Sequence, residues 1–118
     1  MSKRINQCEI LLGMHLGELG LKYFPEYKFD ESRRWKSDFY LPDHNVLLEI
    51  EGATGYFKNP KGQVIRGGRH SRQKGFEDDC IKYNTAQLKH GFQVIRFTTG
   101  MVLSGAAKSF LAEHLIFT

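Results

Sequence analysis

The segment Val46-Leu47-Leu48-Glu49-Ile50-Glu51 constrains this chain more than any other. It runs unbroken from the turn Leu41-Pro42-Asp43-His44-Asn45 to a terminating Gly52, which reads as a strand of a well-formed sheet. Side chains alternate faces along a strand, so Val46, Leu48 and Ile50 share one face and Leu47, Glu49 and Glu51 share the other. Two carboxylates on one face are costly in a sheet interior, because like charges at that spacing raise each other's pKa and destabilise the site. Leu47 on the same face, and an expected central position, argue against plain solvent-facing surface. A bound divalent cation such as Mg²⁺, which takes oxygen ligands and tolerates several waters, would remove the cost.

The flanking pattern frames that strand. Ile5, Cys8, Leu12, Leu16 and Leu19 recur every three or four positions and predict a helix over Ile5–Leu21, ended by Gly20 and Pro25. Tyr27–Phe29 and Trp35–Tyr40 read as two strands around the polar turn Asp30-Glu31-Ser32. The short turn before Val46 predicts antiparallel pairing of the second and third strands. A long segment rich in Gly, Lys and Arg, Gly52–Gly75, reads as a loop. A helix follows over Phe76–His90, with Phe76, Cys80, Tyr83, Gln87 and Leu88 as its apparent inner stripe. Gln93–Thr98 is a fourth strand and Val102–Leu115 a final amphipathic helix. A helix between the third and fourth strands implies a crossover, hence a partly parallel sheet. The expected fold is a single α/β (α+β) domain over residues 1–118, with an αβββαβ core and a mixed sheet flanked by helices.

Composition narrows the setting. Cys8 and Cys80 are the only cysteines, which makes neither a disulfide framework nor a zinc cluster. No signal peptide is read in MSKRINQC, and no apolar run approaches membrane-spanning length. A reducing, cytoplasmic setting away from membranes is the expectation. The net charge of +4 is unevenly placed: Lys58, Lys61, Arg66, Arg69, Arg72 and Lys74 lie between Ala53 and Gly75 with no acid among them, so the remainder is net acidic. A basic segment on an acidic body suggests a polyanionic partner; the plainer reading is a solvated loop. Arg33 and Arg34 are further phosphate candidates. Trp35 reads as a core residue rather than a base-stacking one.

Other acids converge on the strand. Asp38 lies eleven positions before Glu49, across the Pro42 turn, so the hairpin brings the two together. Glu9 sits beside the buried stripe of the first helix and is expected to face Asp38 and Glu49, whereas Glu18 points to solvent. The plainer role of Glu9 is a first-turn acid at a helix dipole. Lys82 falls three and four positions after Asp79 and Asp78. That spacing fits surface ion pairing, and equally a lysine that polarises a phosphate.

Together Glu9, Asp38-Phe39 with Pro42, Glu49-Ile50-Glu51-Gly52, His70 and Gly91-Phe92-Gln93-Val94-Ile95-Arg96-Phe97 resemble the PD-(D/E)XK, restriction-endonuclease-like superfamily. The closer resemblance is to very-short-patch-repair endonucleases and their small phage and bacterial relatives, over about residues 5 to 105. Ser37 stands where Pro usually precedes the first acid, and Glu51 where the strand lysine is usual. The resemblance implies a metal-dependent DNA endonuclease of a bacterial or phage-infected cell. Mg²⁺, or Mn²⁺ in its place, would be held by Asp38, Glu49 and the carbonyl of Ile50. His70 or Lys82 would move a proton or bind phosphate, with Glu51 and Glu9 as further catalytic candidates. Lys58, Lys61, Arg66, Arg69, Arg72 and Lys74 would track DNA. Monomer and homodimer both remain open. Two rivals are a ββα-metal nuclease built on His70 and Asn84, and a non-catalytic nucleic-acid-binding module using the basic segment alone.

Overall fold

The computed structural model describes residues 7–52, 56–58, 64–66 and 73–116. In chain order these form α1 (Gln7–Glu18), β1 (Phe24–Lys28), β2 (Lys36–Leu41), β3 (Val46–Glu51), β4 (Tyr56–Lys58), β5 (Val64–Arg66), α2 (Gln73–Leu88), β6 (Gln93–Thr98), α3 (Thr99–Ser104) and α4 (Ala106–Leu115). Four strands make a mixed sheet in the order β1-β2-β3-β6. β1–β2 and β2–β3 are antiparallel, while β3–β6 is parallel, as the intervening helix requires. β3 is therefore central, and its bounds are those expected from its sequence. No helix among the described residues is long and apolar enough to cross a membrane.

The two faces of this sheet are covered differently. On one, Leu12 and Leu16 of α1, Val102 of α3, and Ala107 and Leu111 of α4 pack on Phe39, Leu41, Val46, Leu48 and Phe97. Burying each large apolar side chain there contributes roughly 1.5–3 kcal/mol. The other face is covered by α2, where the apolar cluster is smaller: Leu47, Ala86 and Phe29, with Tyr27, Trp35, Tyr40, Phe92 and Val94 around them. Asp30 ties this side together. Fully buried, it accepts hydrogen bonds from the Ser32 hydroxyl (2.6 Å) and backbone amide (2.9 Å) and from Lys89 Nζ (3.1 Å), and it pairs with His90 Nε2 (2.9 Å). These partners, the Ser32 hydroxyl first and His90 next, hold its carboxyl well below the usual carboxylate range.

Several expected boundaries shift. α1 closes at Glu18 in a Schellman-type turn: the Leu21 amide reaches the Leu16 carbonyl at 3.0 Å around Gly20, whose φ is +73°. Pro25, read as a helix stop, lies inside β1; an edge strand accepts proline because its N–H side need not pair. The segment 52–75 is not a bare loop, since β4 and β5 pair within it as an antiparallel ribbon. The inner stripe of α2 also differs. Phe76 and Leu88 are exposed, and the buried positions are Asp79, Tyr83 and Ala86, so the inward face is largely polar.

The final helix is two helices. Gly105, at φ +87°, ends α3 and starts α4. A left-handed residue there is natural for glycine and strained for any residue with a Cβ, while no neighbouring atom would obstruct the added methyl. Gly105→Ala should therefore destabilise the protein by about 1 kcal/mol in urea denaturation, whereas an unbroken helix would gain about that much from the same change. The sign of the shift in midpoint decides between the two.

Candidate active site

The β2–β3 ladder runs only as far as Phe39↔Leu48. Beyond that point, side chains of β2 satisfy the backbone of β3. The buried Ser37 hydroxyl lies 2.9 Å from the Leu48 carbonyl oxygen and 3.0 Å from that of Phe39. The Ile50 amide donates to Asp38 Oδ2 at 2.7 Å. The strands thus part where the two acids stand, and a carboxylate takes the place of a backbone acceptor.

Glu49 and Glu51 project from β3 on the α2 side, and both are only 6% exposed. Each has a cation. Lys82 of α2 places Nζ 3.1 Å from Glu49 Oε1 and donates to the Lys36 carbonyl at 2.8 Å, bridging the opening between β2 and β3. Glu51 Oε1 accepts from the Tyr83 hydroxyl at 2.9 Å and from Arg96 Nε at 2.7 Å. The parallel register sets Arg96 directly opposite Glu49, and its guanidinium lies over the Tyr83 ring at 4.7 Å. Burial pushes the Glu49 carboxyl up to about 7; Lys82 opposes the shift, while Asp38 and Glu51 add to it. Tyr83 is likewise pushed up, by burial first and then by the charges of Glu49 and Glu51. Asp79, also buried, adds a further carboxylate near Tyr83.

Four residues expected from the sequence therefore meet: Asp38, Glu49, Glu51 and Lys82. The role of Lys82 as partner of acids on its own helix gives way to a contact with Glu49, because α2 turns this side chain inward. Glu9 belongs to the α1 layer, half-buried at a cavity of about 350 Å³ whose wall includes Gly13, Tyr23 and Phe39. That is the other face of the sheet from Glu49, Glu51 and Lys82. Glu18 is exposed and pairs with Lys108 at 3.3 Å. Arg33 and Arg34 are exposed on the turn before β2, with Arg33 over the Trp35 ring at 4.8 Å. Lys58 and Arg66 fall on β4 and β5, and Lys74 in the first turn of α2. Lys61, Arg69, His70 and Arg72 lie outside the described residues.

Ser37, Tyr83 and Arg96 were not expected at the site. Tyr83 reads as part of an apolar stripe, and Arg96 as one residue of the Gly91–Phe97 motif with no role of its own at the site. Only the parallel register of β6 brings Arg96 beside the acids.

Among the described residues, no group of three or more His, Cys, Asp or Glu side chains could hold a metal ion by itself. The donors at the strand opening, two carboxylates and the Ile50 carbonyl, are hard oxygens. They fit a cation that keeps most of its waters, as Mg²⁺ does. Burial is the main cause of the raised Glu49 pKa, with the charges of Asp38 and Glu51 adding to it, and a nearby cation would oppose that shift. No protein-family model, curated protein or solved structure matches this chain.

The Glu49 shift has a consequence for stability. Its folded pKa lies above the ordinary glutamate value, so the fold favours its protonated form. The associated stability is complete below about pH 4.5 and is lost as pH rises through about 7. In EDTA, Glu49→Gln should gain on wild type as pH is raised from about 5 to about 8 in chemical denaturation. Parallel pH curves for the two proteins would show that Glu49 is unperturbed.

Proposed function

We propose that this chain is a divalent-metal-dependent DNA endonuclease of the PD-(D/E)XK kind. The observation that carries the reading is the opening between β2 and β3, where Asp38 and Glu49 stand together with the Lys82 ammonium 3.1 Å from Glu49. Acids on neighbouring strands beside a partly buried amine have little structural purpose, because a well-packed apolar pair would cost less there. Phosphodiester hydrolysis uses both: oxygen donors for a cation, and a positive group for the charge that develops on phosphate. A cation held by Asp38, Glu49 and the Ile50 carbonyl supplies charge neutralisation and a more acidic water when bound. Lys82, fixed by the Lys36 carbonyl, supplies the ammonium on a helix in place of the strand lysine that Glu51 displaces. His70 carries an imidazole, a group suited to proton transfer or phosphate binding. The basic residues from Lys58 to Lys74, with Arg33 and Arg34, would follow the backbone of a DNA partner. Such an enzyme would act where DNA is accessible to it, in the cytoplasm of a bacterial or phage-infected cell.

One feature favours a second reading. The β4–β5 ribbon directly precedes α2, the element order of a ββα-metal nuclease, with His70 between ribbon and helix. Against it, Asn84 is exposed, and that reading leaves Asp38 and Glu49 without a role.

Nicking or cutting of supercoiled plasmid should require Mg²⁺ or Mn²⁺ and stop in excess EDTA. Asp38→Asn and Glu49→Gln should abolish it, and Lys82→Ala should slow it by roughly a hundredfold. Full activity in either acid variant would sink this reading; if His70→Ala alone were inactive, the ββα reading would replace it.

DNA affinity should fall steeply with added salt, and neutralising Arg66, Arg69 and Arg72 together should reduce the slope of log affinity against log salt by up to about 3. An unchanged slope would make the segment plain solvated surface.

A further inference from the structure

The ion pair with Glu51 engages Arg96 through Nε, on a side chain that stays half exposed. A guanidinium carries five donors in a planar fork that matches phosphate and carboxylate alike. Here the contact with Glu51 is made through Nε at 2.7 Å, and the plane is fixed by the Tyr83 ring beneath it at 4.7 Å. Glu51 is itself held by the Tyr83 hydroxyl, so the three side chains form a rigid unit. The Glu51 side chain is 8% exposed, whereas that of Arg96 is 49% exposed. The cation thus stands at the rim while its anchor is buried. β6 sets it opposite Glu49, on the face that carries the acids.

A purely structural partner for Glu51 would be expected to use the fork against the carboxylate and to be buried with it. An exposed ion pair would add little to stability, since such pairs are typically worth ~0–1 kcal/mol. The arrangement instead withdraws Nε into an internal contact and leaves the terminal nitrogens at the surface beside a strongly acidic strand. With Lys82 committed to Glu49, that strand would still repel a polyanion unless a further fixed cation stood next to it.

We propose that Arg96 is a phosphate-binding residue of this site, held by Glu51 and Tyr83 so that its terminal nitrogens receive a phosphodiester oxygen of the substrate. Glu51 and Tyr83 are then positioning residues for Arg96. The assignment rests on the endonuclease reading above and names the residue that holds the substrate backbone beside the acids.

The test uses the full chain with duplex DNA. In EDTA, where binding is read without cleavage, Arg96→Gln should weaken affinity by roughly tenfold and lower the slope of log affinity against log salt by about 1. In Mg²⁺ it should raise KM by roughly tenfold with a smaller effect on kcat, while Arg96→Lys restores the salt slope and only part of the affinity. Tyr83→Phe, which keeps the charge and loosens its anchor, should raise KM and leave the slope alone. Phenylglyoxal labelling of Arg96 in the wild-type protein, read by peptide mass spectrometry, should slow when DNA is bound; this needs no variant to fold. Wild-type slope and KM in Arg96→Gln, or labelling indifferent to DNA, would overturn the assignment and leave the endonuclease reading standing. A wild-type protein that neither binds nor cuts DNA would overturn both.

Discussion

Two carboxylates buried next to each other on a central strand must each find a cation, and the rest of this structure is arranged around that need. Glu49 meets Lys82 from above the sheet, and Glu51 meets Arg96 from within it. The demand shapes α2. Its inward positions Asp79, Lys82 and Tyr83 answer charge, and only Ala86 among the fully buried ones answers an apolar neighbour. A helix held this way contributes little hydrophobic stabilisation. Cohesion comes from the opposite face, where α1, α3 and α4 close an apolar core over Leu48 and Phe97. One face of the sheet stabilises the fold, and the other is free to hold groups that would destabilise a core.

The same division appears in the backbone. A regular hairpin would have continued its ladder past Phe39↔Leu48 and set Asp38 directly against Glu49 in a closed register. Ser37 instead donates its hydroxyl to β3 and Asp38 accepts from that strand with a carboxylate oxygen, so the strands separate without stranding the Leu48 carbonyl or the Ile50 amide. A proline at position 37 would have no hydroxyl to offer Leu48.

What the sequence makes legible follows from the physics of each signal. The bounds of β3 and β6 are readable because apolar residues alternate or cluster between unmistakable turns. The pairing of β2 with β3 follows from a short Pro-containing turn, and Asp38 with Glu49 follows from that pairing. The polar inner face of α2 is invisible to a reading that equates inside with apolar, so Phe76 and Leu88 are assigned inward and stand exposed. Arg96 and Glu51 are far apart in sequence and meet only through a parallel register, which no local pattern encodes. The break at Gly105 is hidden because apolar periodicity continues across it; the left-handed φ is a tertiary choice.

Asp30 gives α2 a fulcrum. Its bonds to Lys89 and His90 clamp the turn that follows the helix to the loop before β2, while the 16-residue helix extends about 24 Å away from that clamp. Lys82 sits only about 10 Å along this arm and the first turn of α2 near its tip. A tilt of the helix about the clamp therefore displaces the tip two to three times as far as it displaces the ammonium. The amine beside Glu49 thus lies on the short part of the arm, and the end that adjoins the basic segment on the long part.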